Sequence, residues 1–250
     1  MCHPLTSRPA TLPDGASARD GAARLAPSSS VTLILILSWN LFHGRSQPPA
    51  GRPLAREFAA ALAGWEWDVA LLQEVPPWWP IPLGDACGAN AQFVLTSRNS
   101  LLWLRRAIAS RAPDLLKANG GGSNAILVRG GGVVDHRARV LTERPERRVM
   151  HGAFLGAAGW VVNLHSSTHP DEQRRADLFG AAATALEWSA GAPLVFGGDL
   201  NSTRPAMPGL THVAGHHVDH VFTNGRPAAG ESEVLDAGRL SDHRPLRVAV

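Results

Sequence analysis

The chain has 250 residues, 44% of them hydrophobic and 18% charged, which excludes an intrinsically disordered protein and allows one large domain. A formal net charge of +3 suits a phosphate-bearing partner but is too small to argue for nucleic acid by itself. With only Cys2 and Cys87, neither a disulfide framework nor a cysteine-based zinc site is available.

Residues 1–30 are rich in Pro, Ser, Ala, Arg and Gly without apolar periodicity, and read as a disordered extension. The pattern changes at Val31, and one α/β domain is expected over residues 31–250. "VTLILIL" is continuously apolar, as in a strand buried on both faces. It is too short to span a bilayer and no small-residue cleavage site follows it. The expectation is a cytoplasmic monomer without an integral membrane segment. "PLAREFAAALAGW" sets Leu54, Phe58 and Leu62 on one helical face behind Pro53. "DVALLQEV" is a second buried strand, stopped by Pro76 and Pro77. Trp78 and Trp79 then suit core packing, an apolar groove or base stacking.

Residues 99–118 read as a helix with Leu101, Leu104 and Ile108 on one face and solvated Arg105, Arg106 and Arg111. "GGGSNAILVRG" is a glycine turn feeding a strand. In "GWVVNLHSS", Trp160, Val162 and Leu164 point one way and Val161, Asn163 and His165 the other. A helix over about 171–189 carries Leu178, Ala182 and Leu186 at helical spacing. Strands follow in "APLVFGGDLN", "HHVDHVFTNG" and "HRPLRVAV", the last alternating Leu246, Val248 and Val250 with Arg247 and Ala249.

These strands repeatedly end in a carboxylate, amide or imidazole: Asn40, Glu74, His165, Asp199 with Asn201, Asp219, and Asp242 with His243. Singly, such residues punctuate loops; jointly, strand ends on one sheet edge bring them into one cluster. Glu74 offers a hard oxygen ligand for Mg²⁺ or Mn²⁺. An extended backbone would put Asp199 and Asn201 on one side with Leu200 opposite, the carboxylate taking a proton from water and the amide binding a phosphoryl oxygen. Gly197 and Gly198 would let the chain approach a phosphate. The His243 imidazole can neutralise phosphate charge and needs an orienting carboxylate.

"SWNL", "LLQEV", "SNAILVR", "VVNLHSS", "FGGDLNS", "VDHVF" and "SDHRPL", in this order, resemble the endonuclease/exonuclease/phosphatase superfamily from about Ser38 to the C-terminus. The resemblance implies a DNase I-like four-layer α/β/β/α sandwich, two packed mixed β-sheets flanked by helices, with the site at one sheet edge. It also implies roles. Glu74 becomes the principal ligand of Mg²⁺ (or Mn²⁺), with Asn40 positioning it and Asp242 beside the metal. Asp219 orients His243, His165 stands opposite as acid or phosphate ligand, and Asn124 touches the substrate phosphate. The charged partner that nuclease members give that first histidine is missing here.

The implied reaction is hydrolysis of a phosphoester by in-line water attack, as in a phosphodiesterase or endonuclease, with nucleic acid among the substrates. The alternative is a phosphomonoesterase acting on an inositol phosphate or another small phosphoester. Lipid-directed members usually carry apolar membrane loops or export signals, and neither stands out in this sequence. A silent binding module would have lost Glu74, Asp199, Asn201 or His243, and all are present. A GDSL-type serine esterase is excluded because Leu200 occupies the serine position. The histidine-dense "HVAGHHVDH" lacks a cysteine or His-Glu partner and reads as a strand edge, not a zinc site; His43 and His151 match no position of the pattern. Deleting residues 242–250 is expected to abolish hydrolysis and deleting residues 1–30 to leave it intact, as measured on a soluble phosphodiester.

Overall fold

The computed structural model describes residues 33–97, 99–115, 122–225 and 227–250; the extension expected over residues 1–30 lies outside them. Two six-stranded mixed sheets face each other. The first runs, from edge to edge, β11 (Glu233–Val234), β12 (Leu246–Ala249), β1 (Leu35–Asn40), β2 (Val69–Val75), β4 (Ser123–Arg129) and β3 (Ala89–Leu95). The second runs β5 (Asp135–Thr142), β6 (Arg148–Phe154), β7 (Trp160–His165), β8 (Leu194–Asp199), β10 (Asp219–Thr223) and β9 (Thr211–His216). Helices α1 (Ala55–Gly64) and α2 (Pro80–Cys87) accompany the first sheet, and α4 (Asp171–Ser189) the second.

Side-chain alternation along the central strands sorts the core into three apolar layers. Leu37 and Trp39 of β1 and Leu72 of β2 pack with Phe58 and Leu62 of α1, outside the first sheet. Ile36, Val69, Leu71 and Ile126 face Val161, Val195 and Val221 between the sheets, joined by Leu246 and Val248 of β12. Trp160, Val162 and Leu164 meet Leu178, Ala182 and Ala185 of α4 outside the second sheet. Both faces of the central strands are therefore dry, which is why their sequences read as unbroken apolar runs. Trp79 joins the core, its ring centroid 5.5 Å from that of Phe58, and also lines an apolar cleft with Trp78.

The regions that carry no clear sequence signal lie mostly at the sheet edges or begin with helix-disfavouring residues; the interior strand β6 goes unmarked because Arg148, His151 and Gly152 break its apolar run. β3 and β5 are edge strands, and β5 (DHRARVLT) is largely exposed, so no apolar face marks it. α2 opens on Pro80 and contains Pro82 and Gly84, residues that ordinarily signal a loop. The helix expected over 99–118 is shorter: α3 covers Leu102–Ala109, and residues 116–118 lie outside the described residues. Its buried residue is Ala109, whereas Leu101 and Leu104 are exposed.

Between the sheets the apolar packing is interrupted by two bonded amides, Asn163 and Gln73, both fully buried. Asn163 of β7 donates to the carbonyls of Leu72 and Ala125 and accepts from Gln73 Nε2 at 2.8 Å. These partners lie where the β2–β4 register shifts between Leu72 and Val75, a bulge that interrupts the ladder. Asn163→Ala would strand several buried polar groups, each costing about 1–3 kcal/mol. Allowing for relaxation, a stability loss of about 2–4 kcal/mol is expected, measured by urea denaturation.

Candidate active site

Strand register places three of the sequence-derived residues in one row. His165 at the end of β7 lies opposite Asp199 at the end of β8, which lies opposite Asp219 at the start of β10. From the other sheet come Asn40 at the end of β1, Glu74 near the end of β2, and the Asp242–His243 pair just before β12. A cavity of about 300 Å³ collects Asn40, Glu74, His165, Asp199, Asn201, Asp242 and His243 in its lining. Asp219 stands behind His243, 1% exposed.

Glu74 owes its direction to the β2 bulge. Its φ of 50° lies in the left-handed region, which costs a non-glycine residue about 1–3 kcal/mol. Phe42, His43 and Asn201 of the cavity wall, and Ser241 next to Asp242, also have positive φ. Backbone strain is thus concentrated around this cavity. Burial, and then the charges of Asp199 and Asp242, push the Glu74 carboxyl up to about 7.

His243 is held from several sides. Its Nδ1 lies 2.8 Å from Asp219 Oδ2, its carbonyl accepts from Trp39 Nε1, and its N–H donates to Ser241 Oγ. Ser241 Oγ in turn donates to the Asn40 carbonyl, so the loop is fastened to β1. Burial opposes a charged imidazole. The Asp219 hydrogen bond and the charges of Asp219, Asp199 and Asp242 outweigh it and raise His243 to about 9. Burial likewise raises the Asp219 carboxyl, while its bond with His243 opposes this.

Asp199 Oδ2 accepts from Asn40 Nδ2 at 2.9 Å and lies 3.5 Å from His165 Nε2 and 3.7 Å from His243 Nε2. Asp199 Oδ1 accepts from the Asn201 N–H at 3.0 Å. The segment is therefore a turn with Asn201 at φ 49°, not the extended stretch the sequence suggested. Leu200 is nonetheless fully buried, and both polar side chains still reach the cavity. His165 sits between Asp199 and Glu74, its Nδ1 3.9 Å from Glu74 Oε1. Burial outweighs the Asp199 charge and lowers His165 to about 3, which favours a neutral imidazole near pH 7.

Some expected contributions lie elsewhere. Asn124 is 1% exposed, donates to the Val149 carbonyl and is outside the cavity lining. Its place on β4, covered by β3 and the second sheet's β6, holds it in the core. Gly197 and Gly198 serve packing instead of phosphate approach. A Cβ at Gly197 would come within 2.8 Å of Leu71 Cδ1, and one at Gly198 within 2.0 Å of the Leu164 carbonyl oxygen. Among the lining residues without a sequence signal are a histidine and an arginine. His43, in the turn after β1, places Nε2 3.1 Å from Glu74 Oε2. Arg148, at the start of β6, is 7% exposed and pairs with Glu146 at 2.7 Å.

The oxygen-rich corner of the cavity fits a hard divalent cation. Glu74, raised by burial and then by neighbouring negative charge, and the exposed Asp242 supply carboxylates there. Asn40 has both ends of its amide engaged, Oδ1 by the Phe42 N–H and Nδ2 by Asp199, so its geometry suits positioning more than ligation. Asp199, Asp219 and His243 also bring ligand atoms within 4.8 Å of one another. The Asp219–His243 hydrogen bond already uses two of them, which makes that trio an orienting array. The histidine-dense stretch binds itself: His212 Nε2 lies 3.0 Å from His220 Nδ1, whose Nε2 faces the Ser202 and His217 carbonyls.

Two mixed sheets packed face to face between helices, with carboxylates and imidazoles gathered at one end, define a DNase I-like sandwich. The chain belongs to the Endonuclease/Exonuclease/phosphatase family, whose pattern it matches over residues 37–243. Members of this family are phosphoester hydrolases. Among solved structures it is similar to mannosyl-6-phosphatase Bt3783 of Bacteroides thetaiotaomicron, at 15% identity and a TM-score of 0.65, covering 87% of this chain and 99% of that one. TDP2 of Caenorhabditis elegans gives 16% identity and a TM-score of 0.62, over 87% and 74% of the two chains. An endonuclease/exonuclease/phosphatase from Beutenbergia cavernae gives 18% and 0.64, over 87% and 71%. Identities this low show the fold alone. No curated protein sequence matches the chain. Asp219→Asn is expected to bring the His243 imidazole down from about 9 to the ordinary histidine range or below, followed by NMR titration of its ring protons in metal-free protein.

Proposed function

We propose that this protein hydrolyses phosphoesters, phosphodiesters foremost, by in-line attack of water, with Mg²⁺ or Mn²⁺ as cofactor. The observation that carries the reading is the Asp219–His243–Asp199 array, assembled from both sheets, with Glu74 and Asp242 in the same environment. Glu74, with Asp242 directly or through water, would hold the cation, whose positive charge polarises the phosphoryl group.

Asp199 takes the proton of the attacking water, held in place by the Asn40 amide and the Asn201 N–H. His243, positively charged at neutral pH and oriented by Asp219, donates from Nε2 to a phosphoryl oxygen as negative charge grows there. Asn201, with one amide N–H on the Ser166 carbonyl, offers its other to the phosphoryl group. His165 adds a neutral N–H and keeps Asp199 and Glu74 apart. The leaving oxygen takes its proton from water or through the His165 imidazole, which stands neutral near pH 7. No covalent intermediate is formed.

The test is a substrate panel with Mg²⁺ and Mn²⁺ comprising duplex and single-stranded DNA, RNA, bis-p-nitrophenyl phosphate, inositol phosphates and sphingomyelin. Hydrolysis should vanish with a chelator, and Glu74→Ala or His243→Ala should lower kcat/KM about 10²–10⁴-fold. The absence of turnover with either metal on every substrate, unchanged by His243→Ala, would exclude the reading. Relative rates on diesters and monoesters decide which class it serves.

A further inference from the structure

Residues 99–115 extend from the catalytic cavity's own wall. Thr96, Ser97 and Gly122 line the cavity. They are tied across the base of the segment by the Thr96 N–H to the Gly122 carbonyl (2.9 Å) and the Gly122 N–H to the Ser97 carbonyl (3.1 Å). Asn99 closes the same base, its Nδ2 donating to the Thr96 and Gly122 carbonyls. Whatever the outer part of this segment touches is therefore held at the mouth of the site.

Within residues 99–115 several large apolar side chains reach solvent. Leu101 is 62% exposed, Trp103 72%, Leu104 39% and Leu115 71%. Helical geometry sets Trp103, Leu104 and Ala107 on the side of α3 opposite its buried Ala109. Between Asn99 and Pro113 every charged side chain is an arginine: Arg105, Arg106 and Arg111, of which Arg106 and Arg111 are exposed. The nearest acid, Asp114, accepts the Gly51 N–H. Tryptophan and leucine projecting together beside arginines that form no ion pair among the described residues is the composition of a helix that lies in the interface of an anionic bilayer. Single-stranded nucleic acid would use the tryptophan and the arginines, but gains little from three exposed leucines.

We propose that α3 and its flanking turns dock on an anionic lipid surface, placing the mouth of the cavity against the headgroup layer. Trp103, Leu104 and Leu101 enter the boundary between headgroups and acyl chains, and Arg106 and Arg111 contact headgroup phosphates or carboxylates. On the phosphoesterase reading, the substrate would then be a phosphoester presented at that surface. The docking itself requires no turnover.

The full chain, sedimented with vesicles of phosphatidylcholine alone or mixed with phosphatidylserine, should bind the mixed vesicles preferentially. Trp103→Ala with Leu104→Ala should weaken that binding at least about tenfold, with thermal melting unchanged because both side chains are exposed. Arg106→Gln with Arg111→Gln, or added salt, should remove the preference for phosphatidylserine. The proposal is overturned by absence of binding to either vesicle, or by binding that survives the Trp103/Leu104 pair. It is equally overturned if that pair abolishes self-association or single-stranded DNA binding while vesicle binding is absent. Failure of vesicle binding with hydrolysis intact removes the docking and leaves the phosphoesterase reading in place.

Discussion

Hydrogen bonds running between the two sheets fix the geometry on which the site depends. Most of the interface between them is aliphatic, and apolar contact is non-directional, so it tolerates small sliding. Directional bonds do not. Asn163 grips the first sheet at Leu72, Gln73 and Ala125. Toward the cavity, Asn40 of the first sheet bonds Asp199 of the second, and His243 beside β12 bonds Asp219 of β10. Each bond weakens steeply with displacement and bending. Together they hold carboxylates and imidazoles from opposite sheets in register.

That register has an energetic cost. Glu74, Asp199 and Asp242 are close enough to raise the proton affinity of Glu74, and its backbone conformation is itself unfavourable. Positive charge offsets this from two sides: His243 carries it at neutral pH, and Arg148 acts on Glu74 from β6. A cation in the carboxylate corner would extend the same compensation. Concentrated strain and unbalanced negative charge at one sheet end, above a dry core, is the pattern of a frame that stabilises a site unfavourable by itself.

The central frame was legible in the sequence because strands covered on both faces must be apolar throughout, and a polar residue ending such a run stands out. β1, β2, β4, β7, β8 and β10 follow that rule, β12 and the two longer helices show the periodicity of one buried face, and β6 escaped because Arg148, His151 and Gly152 break its apolar run. Edge strands need only one protected face or none, so β3 and β5 left no such trace, and α2 was hidden by its prolines. Within the site, Asp219, His243 and Asp199 were recoverable because register carries adjacent strand ends to one place. His43 was not, since its approach to Glu74 depends on a left-handed turn. Asn124, singled out by its motif, lies outside the cavity lining, since a motif does not reveal which face of its strand meets the cavity.

The same contrast separates the catalytic frame from the segment that overhangs it. Leu101 and Leu104 have helical spacing, but a short helix touching the body through Ala109 cannot bury them. Periodicity reports that an apolar face exists, not that this chain supplies its cover. Because backbone bonds close the base of the segment, changes in its outer residues need not reach Thr96, Ser97 or Gly122. The cavity and the docking face proposed for α3 are thereby carried by different parts of the chain: the first by bonds between the sheets, the second by exposed side chains that none of those bonds touch.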